Sequence, residues 1–314
     1  MRYLVITLLF FIHLNAKSLE PSHIYEGSGS VTDLVYKDSK LYSATVEGAV
    51  DIYDTKEQKL IETIKVPTIK DFMGDEVASK VYSVDIVNTK IMIASQGKQG
   101  YRRVHIYENK TLKEIISVDK FYTISKAKFV DEDTLLIALL SNELVLYDIK
   151  NNNEIYRKQI SASKFSDYAL SENKDELALA DESGEIKLIS VKDGSVLNEF
   201  KGQNVDNIFQ IDYKNGTIIT AGQDRRAAIY YRSAKSAYYK DGTFLIYSAG
   251  LSPSGRVGGY AADENNNVTI FNTDNKSDMY ILGSHKATIS SILFIDENEL
   301  FTASDDNHIN YWKL

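Results

Sequence analysis

The 314-residue sequence has no cysteine, three prolines, one tryptophan and five histidines. Without cysteine there is no disulfide, thiolate nucleophile, iron–sulfur cluster, c-type haem attachment, cysteine-based zinc site or lipid-modified N-terminal cysteine. His13, His23, His105, His285 and His308 show no ligand spacing such as H-x3-H, so neither zinc nor haem is expected. Phosphate-binding glycine loops, dinucleotide fingerprints and the G-x-S-x-G nucleophile elbow are missing as well. Asp263–Asn267 starts like a calcium loop, but Val268 stands where the turn glycine belongs and the distal glutamate is absent. Basic charge is short: 36 Lys and Arg against 44 Asp and Glu give a formal net charge of −8. That balance speaks against a nucleic-acid partner, whose phosphates require a basic footprint. No catalytic residue, cofactor or metal is expected, and the chain does not read as an enzyme.

What is present is repetition. Gly283–Leu314 reads as three short strands, Ile289–Ile295, Glu299–Ser304 and His308–Leu314, rich in Ile, Phe, Thr and Tyr. Asp296-Glu297-Asn298 and Asp305-Asp306-Asn307 separate them, residues that tolerate left-handed backbone and bond their own main chain. The third strand recurs as AVDIYD, RVHIYE, ELVLYD, EIKLIS, RAAIYY, NVTIFN and HINYWK. Its large residue falls at Tyr53, Tyr107, Tyr147, Ile189, Tyr230, Phe271 and Trp312, every 40–42 residues after one interval of 54. Multi-stranded units at this period predict an all-β, seven-bladed β-propeller filling residues 17–314 as a single domain. Runs such as Lys59–Val66 and Leu112–Val118 read as outer strands, charged as exposed edges should be. The seventh unit has no outer strand of its own. Ser22–Glu26 is the unassigned strand-like segment expected to close that blade.

The last unit resembles a WD40 repeat, through Gly283 and His285 at its start, Thr302 and Asp306 around its second turn, and Trp312 in its third strand. The resemblance implies that His285, Thr302, Asp306 and Trp312 form a hydrogen-bonded network that locks the blade. Lys313 stands where the family has Asp, and the other units carry Glu47, Ser141, Ser183, Asp224 or Asn265 at the Asp306 position with no equivalent histidine. The repeats are diverged, and fold motifs alone do not specify function.

Residues 1–16 (MRYLVITLLFFIHLNA) have a basic start, a short apolar run and a small terminal residue, the layout of a secretory signal peptide cleaved after Ala16. Export to the periplasm is expected, without membrane insertion after cleavage, as a monomer. Unit 2 is longer than the rest, and its excess lies in Val66–Lys80 and Gln96–Arg103, connections that open on one face of a propeller. Phe72, Met73, Tyr101, Arg102 and Arg103, with Arg225 and Arg226 of unit 5, are the candidate partner-binding residues, a mix enriched at interface hot spots. Exposed arginines on an acidic protein suggest an acidic partner surface or an anionic ligand. No cluster of acids or histidines marks the inner strands, where a channel site would need one.

With its leader, its seven diverged units and its Lys/Asn/Ile/Tyr-rich composition, the chain resembles the NapL-type family, exported WD40-like accessory proteins of periplasmic nitrate reductase. That resemblance implies a protein partner among nitrate reductase subunits or maturation proteins, and no molybdenum or haem on this chain. An envelope assembly scaffold, or an exported propeller enzyme or small-ligand binder using the central channel, remain the alternatives.

Overall fold

The computed structural model describes residues 16–314, so the leader expected over residues 1–16 lies, Ala16 apart, outside the described residues. Seven antiparallel sheets follow one another along the chain. Blade 1 spans Val31–Lys65, blade 2 Val81–Ile116, blade 3 Ile124–Gln159, blade 4 Phe165–Phe200, blade 5 Ile208–Asp241, blade 6 Ala249–Leu282 and blade 7 Ile289–Lys313. Blades 1 to 6 are each a meander of four consecutive strands and blade 7 one of three, numbered from the axis outward.

Second and third strands are covered by neighbouring blades on both faces. They are therefore buried along their length instead of alternating, as in Glu176–Asp181, whose six residues are all buried. One position of the second strand is alanine in every blade: Ala44, Ala94, Ala138, Ala180, Ala221, Ala261 and Ala303, all buried. Blades converge there, and only a small side chain fits at interior packing density. Farther out the wedge widens, and Tyr53, Tyr147, Tyr230, Phe271 and Trp312 fill it, each 0–2% exposed. Outer strands revert to mixed polar character, and six of the seven third-to-outer pairings carry a register shift that twists the edge.

The ring closes through both termini. His23–Glu26 pairs antiparallel with His308–Lys313 and supplies the outer strand of blade 7. Ahead of it, a strand absent from the sequence reading, Lys17–Leu19, adds in parallel to Asp278–Leu282 as a fifth strand of blade 6. Only Leu19 of that strand packs inward, beside Trp312 and Leu282. Three polar-rich residues carry no alternation to read, which is why the segment was invisible in the sequence.

Candidate protein-interaction face

The two ends of the barrel-like ring differ in chemistry. On one end lie the turns joining first to second and third to outer strands, built from residues such as Asp38-Ser39, Asn109-Lys110 and Asn215-Gly216 at positive φ. None of the large exposed apolar residues among the described residues sits in those turns. The opposite end carries Phe72 (96% exposed), Met73 (72%), Phe121 (68%), Val205 (66%) and Phe244 (42%) in its connections. Solvated loops have no need of such residues.

Phe72 and Met73 cap a finger between blades 1 and 2. Its stem is a two-residue ladder, Ile69–Lys70 against Glu76–Val77, with Ile69 buried at the base. At the tip the Asp71 carboxylate accepts from the amides of Met73 (2.9 Å) and Asp75 (3.0 Å), and Gly74 takes φ +92°, which the turn requires. The apolar pair is thus held outward by a fixed turn.

Arg102 and Arg103 do not project, contrary to the sequence expectation. They begin the third strand of blade 2, Arg102–Glu108, and both guanidinium groups turn inward. Arg103 Nη2 donates to the Pro67 carbonyl (2.7 Å) and Ser79 Oγ (3.0 Å), and Ser79 Oγ donates to Pro67 (2.7 Å), which ties down the finger's base. Arg102 stacks 3.5 Å over the Tyr82 ring and donates to the Ile124 carbonyl, while its amide donates to Tyr122 (2.9 Å). It fastens the next connection, residues 117–123. Burial pulls both guanidinium pKa values downward, the expected cost of removing charge from water. In that fastened connection Phe121 adopts φ +56°, ψ +32°, and its ring meets Tyr101 edge-on at 5.2 Å.

The arginines expected to stand exposed on one face are not gathered there. Arg226, in blade 5, donates to Gln203 O (2.9 Å) and lies 4.1 Å over Tyr239, and Arg225 is exposed on the adjoining turn at φ +65°, three blades from the finger. The structure brings Phe72, Met73, Tyr101 and Phe121 to neighbouring connections and leaves the arginines out.

In blade 7, His285, Thr302, Asp306 and Trp312 are joined through a fifth residue, Ser304. Trp312 Nε1 donates to Thr302 Oγ1 (2.8 Å), which lies 2.6 Å from His285 Nε2; His285 Nδ1 lies 2.9 Å from Ser304 Oγ, which donates to Asp306 Oδ1 (2.8 Å). A single direction satisfies every hydroxyl when His285 is neutral with its proton on Nδ1. Burial first, against a partial pull from Asp306, lowers the ring's pKa to about 4, in accord with that neutral form. Blade 5 holds a version built without histidine. Thr220 Oγ1 donates to Asn204 Oδ1 (2.7 Å), Asn204 Nδ2 to Asp224 (3.4 Å), and the Asn204 amide to Tyr230 Oη (3.2 Å). An asparagine four residues ahead of the inner strand was the available signal.

The axial channel corrects another expectation. Its cavity of about 370 Å³ is walled by Asp33, Asp85, Asp167 and Asp212 together with Lys126 and Lys128. Each carboxylate reaches the main chain of the next blade: Asp33 accepts from Val84 N (3.0 Å), Asp85 from Phe129 N (2.7 Å), Asp167 from Ile211 N (3.1 Å) and Asp212 from Leu251 N (2.9 Å). Lys126 pairs with Asp167 (2.7 Å) and Lys128 with Asp33 (2.8 Å). These acids stitch blade to blade. Among the described residues no group of three or more His, Asp or Glu is arranged to hold a metal, and no helix is long and apolar enough to cross a membrane.

The sequence matches no protein-family model and no curated protein. Solved structures do match. The β-propeller domain of Cps50 (Swd1) from Myceliophteria thermophila aligns with a TM-score of 0.74 at 14% identity, over 94% of this chain and 99% of that one. A chain of the mitotic checkpoint complex aligns at 0.75 and 14% identity, over 100% of this chain and 99% of its own. The fold is a WD40-like seven-bladed propeller. At this identity the likeness speaks for the propeller architecture alone.

Proposed function

We propose that this propeller is a non-catalytic docking platform that engages a protein partner through the finger and the connections beside it. The observation that carries the reading is the finger tip, where Phe72 is 96% exposed on a turn fixed by Asp71. A large aromatic side chain held rigidly in water gains nothing for folding, whereas aromatic anchors dominate interface energetics. The fuller reading follows the sequence resemblance: a periplasmic accessory protein of nitrate reductase, freed from its leader after Ala16, that supports the enzyme's maturation or activity and carries no cofactor of its own.

A photo-crosslinking amino acid at position 72, introduced in the native cells and read by mass spectrometry, tests both levels. Cross-links to nitrate reductase subunits or their maturation proteins support the fuller reading. Cross-links to envelope assembly components keep the platform and replace the partner. A correctly folded protein that yields no protein adduct at position 72 refutes docking through the finger. N-terminal sequencing of the chain from the periplasmic fraction checks cleavage before Lys17.

A further inference from the structure

We infer that the docking site has a second anchor, Phe121 with Tyr101, and that the partner surface it meets is apolar instead of acidic. This rests on the docking reading above and adds to it the chemistry of what docks.

Phe121 is the observation that sequence gave no hint of. Its backbone lies in the left-handed region, a conformation that glycine and asparagine enter readily and a bulky aromatic residue does not. Burial of the ring does not offset that strain, because the residue is 68% exposed, with the Tyr101 ring at 5.2 Å in a T-shaped arrangement. Strained residues that folding does not reward concentrate at functional sites. Arg102 and Arg103 are consecutive on one strand, and one fastens the Phe121 connection while the other fastens the finger. Both connections are therefore tied to a single strand.

The charges nearby set the sign. The two arginines that would have read an acidic partner are committed to Pro67, Ser79, Tyr82 and Ile124. Around the anchors, exposed Lys70, Lys98 and Lys120 stand among exposed Asp75, Glu76 and Asp119, a mixed rim without a dominant charge. What stands clear of that rim is Phe72, Met73 and Phe121. The complementary surface is an apolar pocket or groove on a protein, and its occupation by these side chains depends little on salt.

The test measures cross-link yield from position 72 in extracts of the native cells, at 50 and 500 mM salt, for the parent chain and for Phe121→Gly. The expected yield changes less than about twofold with salt and falls about tenfold in Phe121→Gly. Because glycine relieves the left-handed strain, that variant is expected to melt about 2 °C higher, so lost docking cannot be ascribed to unfolding. If Phe121→Gly melts lower, Phe121→Asn, which also tolerates this backbone, takes its place in the same comparison. Yield that collapses with salt, or that survives both Phe121 variants, overturns the inference while the docking reading stands. No adduct at all from the parent chain overturns the docking reading itself. Flotation of the protein with neutral phosphatidylcholine vesicles, lost in Phe121→Gly, would assign the anchors to a lipid surface and overturn both.

Discussion

Replacing His285 by asparagine should remove part of the protein's acid sensitivity. Blade 5 shows that asparagine can serve this network, since Asn204 bonds Thr220 and Asp224 much as His285 bonds Thr302 and Ser304. His285 is 7% exposed, and burial lowers its pKa from 6.5 to about 4. A folded-state pKa below the unfolded value means that the unfolded chain takes up the proton first as pH falls. Stability is then full above about pH 6.5 and declines until about pH 4, where the folded ring also protonates. At pH 4.5 most of the shift has been expressed, about 2–3 kcal/mol for this ring. His105 is buried as well, with its pKa lowered to about 4 by burial and by Arg103, and contributes a similar loss. Urea unfolding at pH 7.5 and 4.5 reads the effect. His285→Asn is expected to cost about 1 kcal/mol at pH 7.5 through poorer hydrogen bonds, yet to lose about 2–3 kcal/mol less than the parent between the two pH values. Carboxylates remote from the network titrate alike in both proteins and cancel; Asp306, whose charge interacts with the His285 ring, is the exception. Equal pH sensitivity of parent and variant would refute the neutral, proton-relayed network.

Three other outcomes follow from the packing and the ties. Trp312→Ala empties the largest fully buried site and is expected to cost about 3–5 kcal/mol, read by denaturant unfolding; a near-neutral midpoint would contradict its place in blade 7. Arg103→Ala should speed amide exchange across residues 67–80 about tenfold and leave 117–124 unchanged, with Arg102→Ala doing the reverse. Exchange that quickens in both segments in either variant would show that the two ties are not separate. Deleting Lys17–Leu19 should lower stability by only about 1 kcal/mol, since Leu19 alone packs inward. It also bares the edge of Asp278–Leu282, so light scattering should detect association that the parent does not show.

Much of the architecture was legible because each blade repeats one compositional decision. An alanine and a large residue recur at fixed offsets in buried strands, and local polar turns separate them. The closing strand His23–Glu26 could be assigned by elimination, and Phe72 and Met73 by their place in an insertion. Arg102 and Arg103 were misread because a polar pair after a glycine-rich turn looks solvated; only Pro67 and Ile124, distant in sequence, reveal where the guanidinium groups go. Phe121 was hidden because its conformation is set by a short capped turn that leaves no periodic trace. The channel aspartates fall one to a blade on separate inner strands, so no local cluster betrays them. Their partners are main-chain amides of the next blade, which no sequence pattern displays.

The paired strands at the N-terminus also govern the order of events as the protein is made. Ser22 N bonds Tyr311 O, and Ser30 Oγ donates to Asp305 O at 2.6 Å, contacts between the first described strands and the last. A chain that emerges N-terminus first must keep His23–Glu26 unattached while six blades assemble behind it, Lys17–Leu19 finding its place only once Asp278–Leu282 is formed. Ring closure then awaits the final dozen residues, so the step of longest range in sequence is also the last in time. A chain cut short before His308 would hold six blades and leave His23–Glu26 without its partner strand, with the hydrophobic sides of two blades open to solvent.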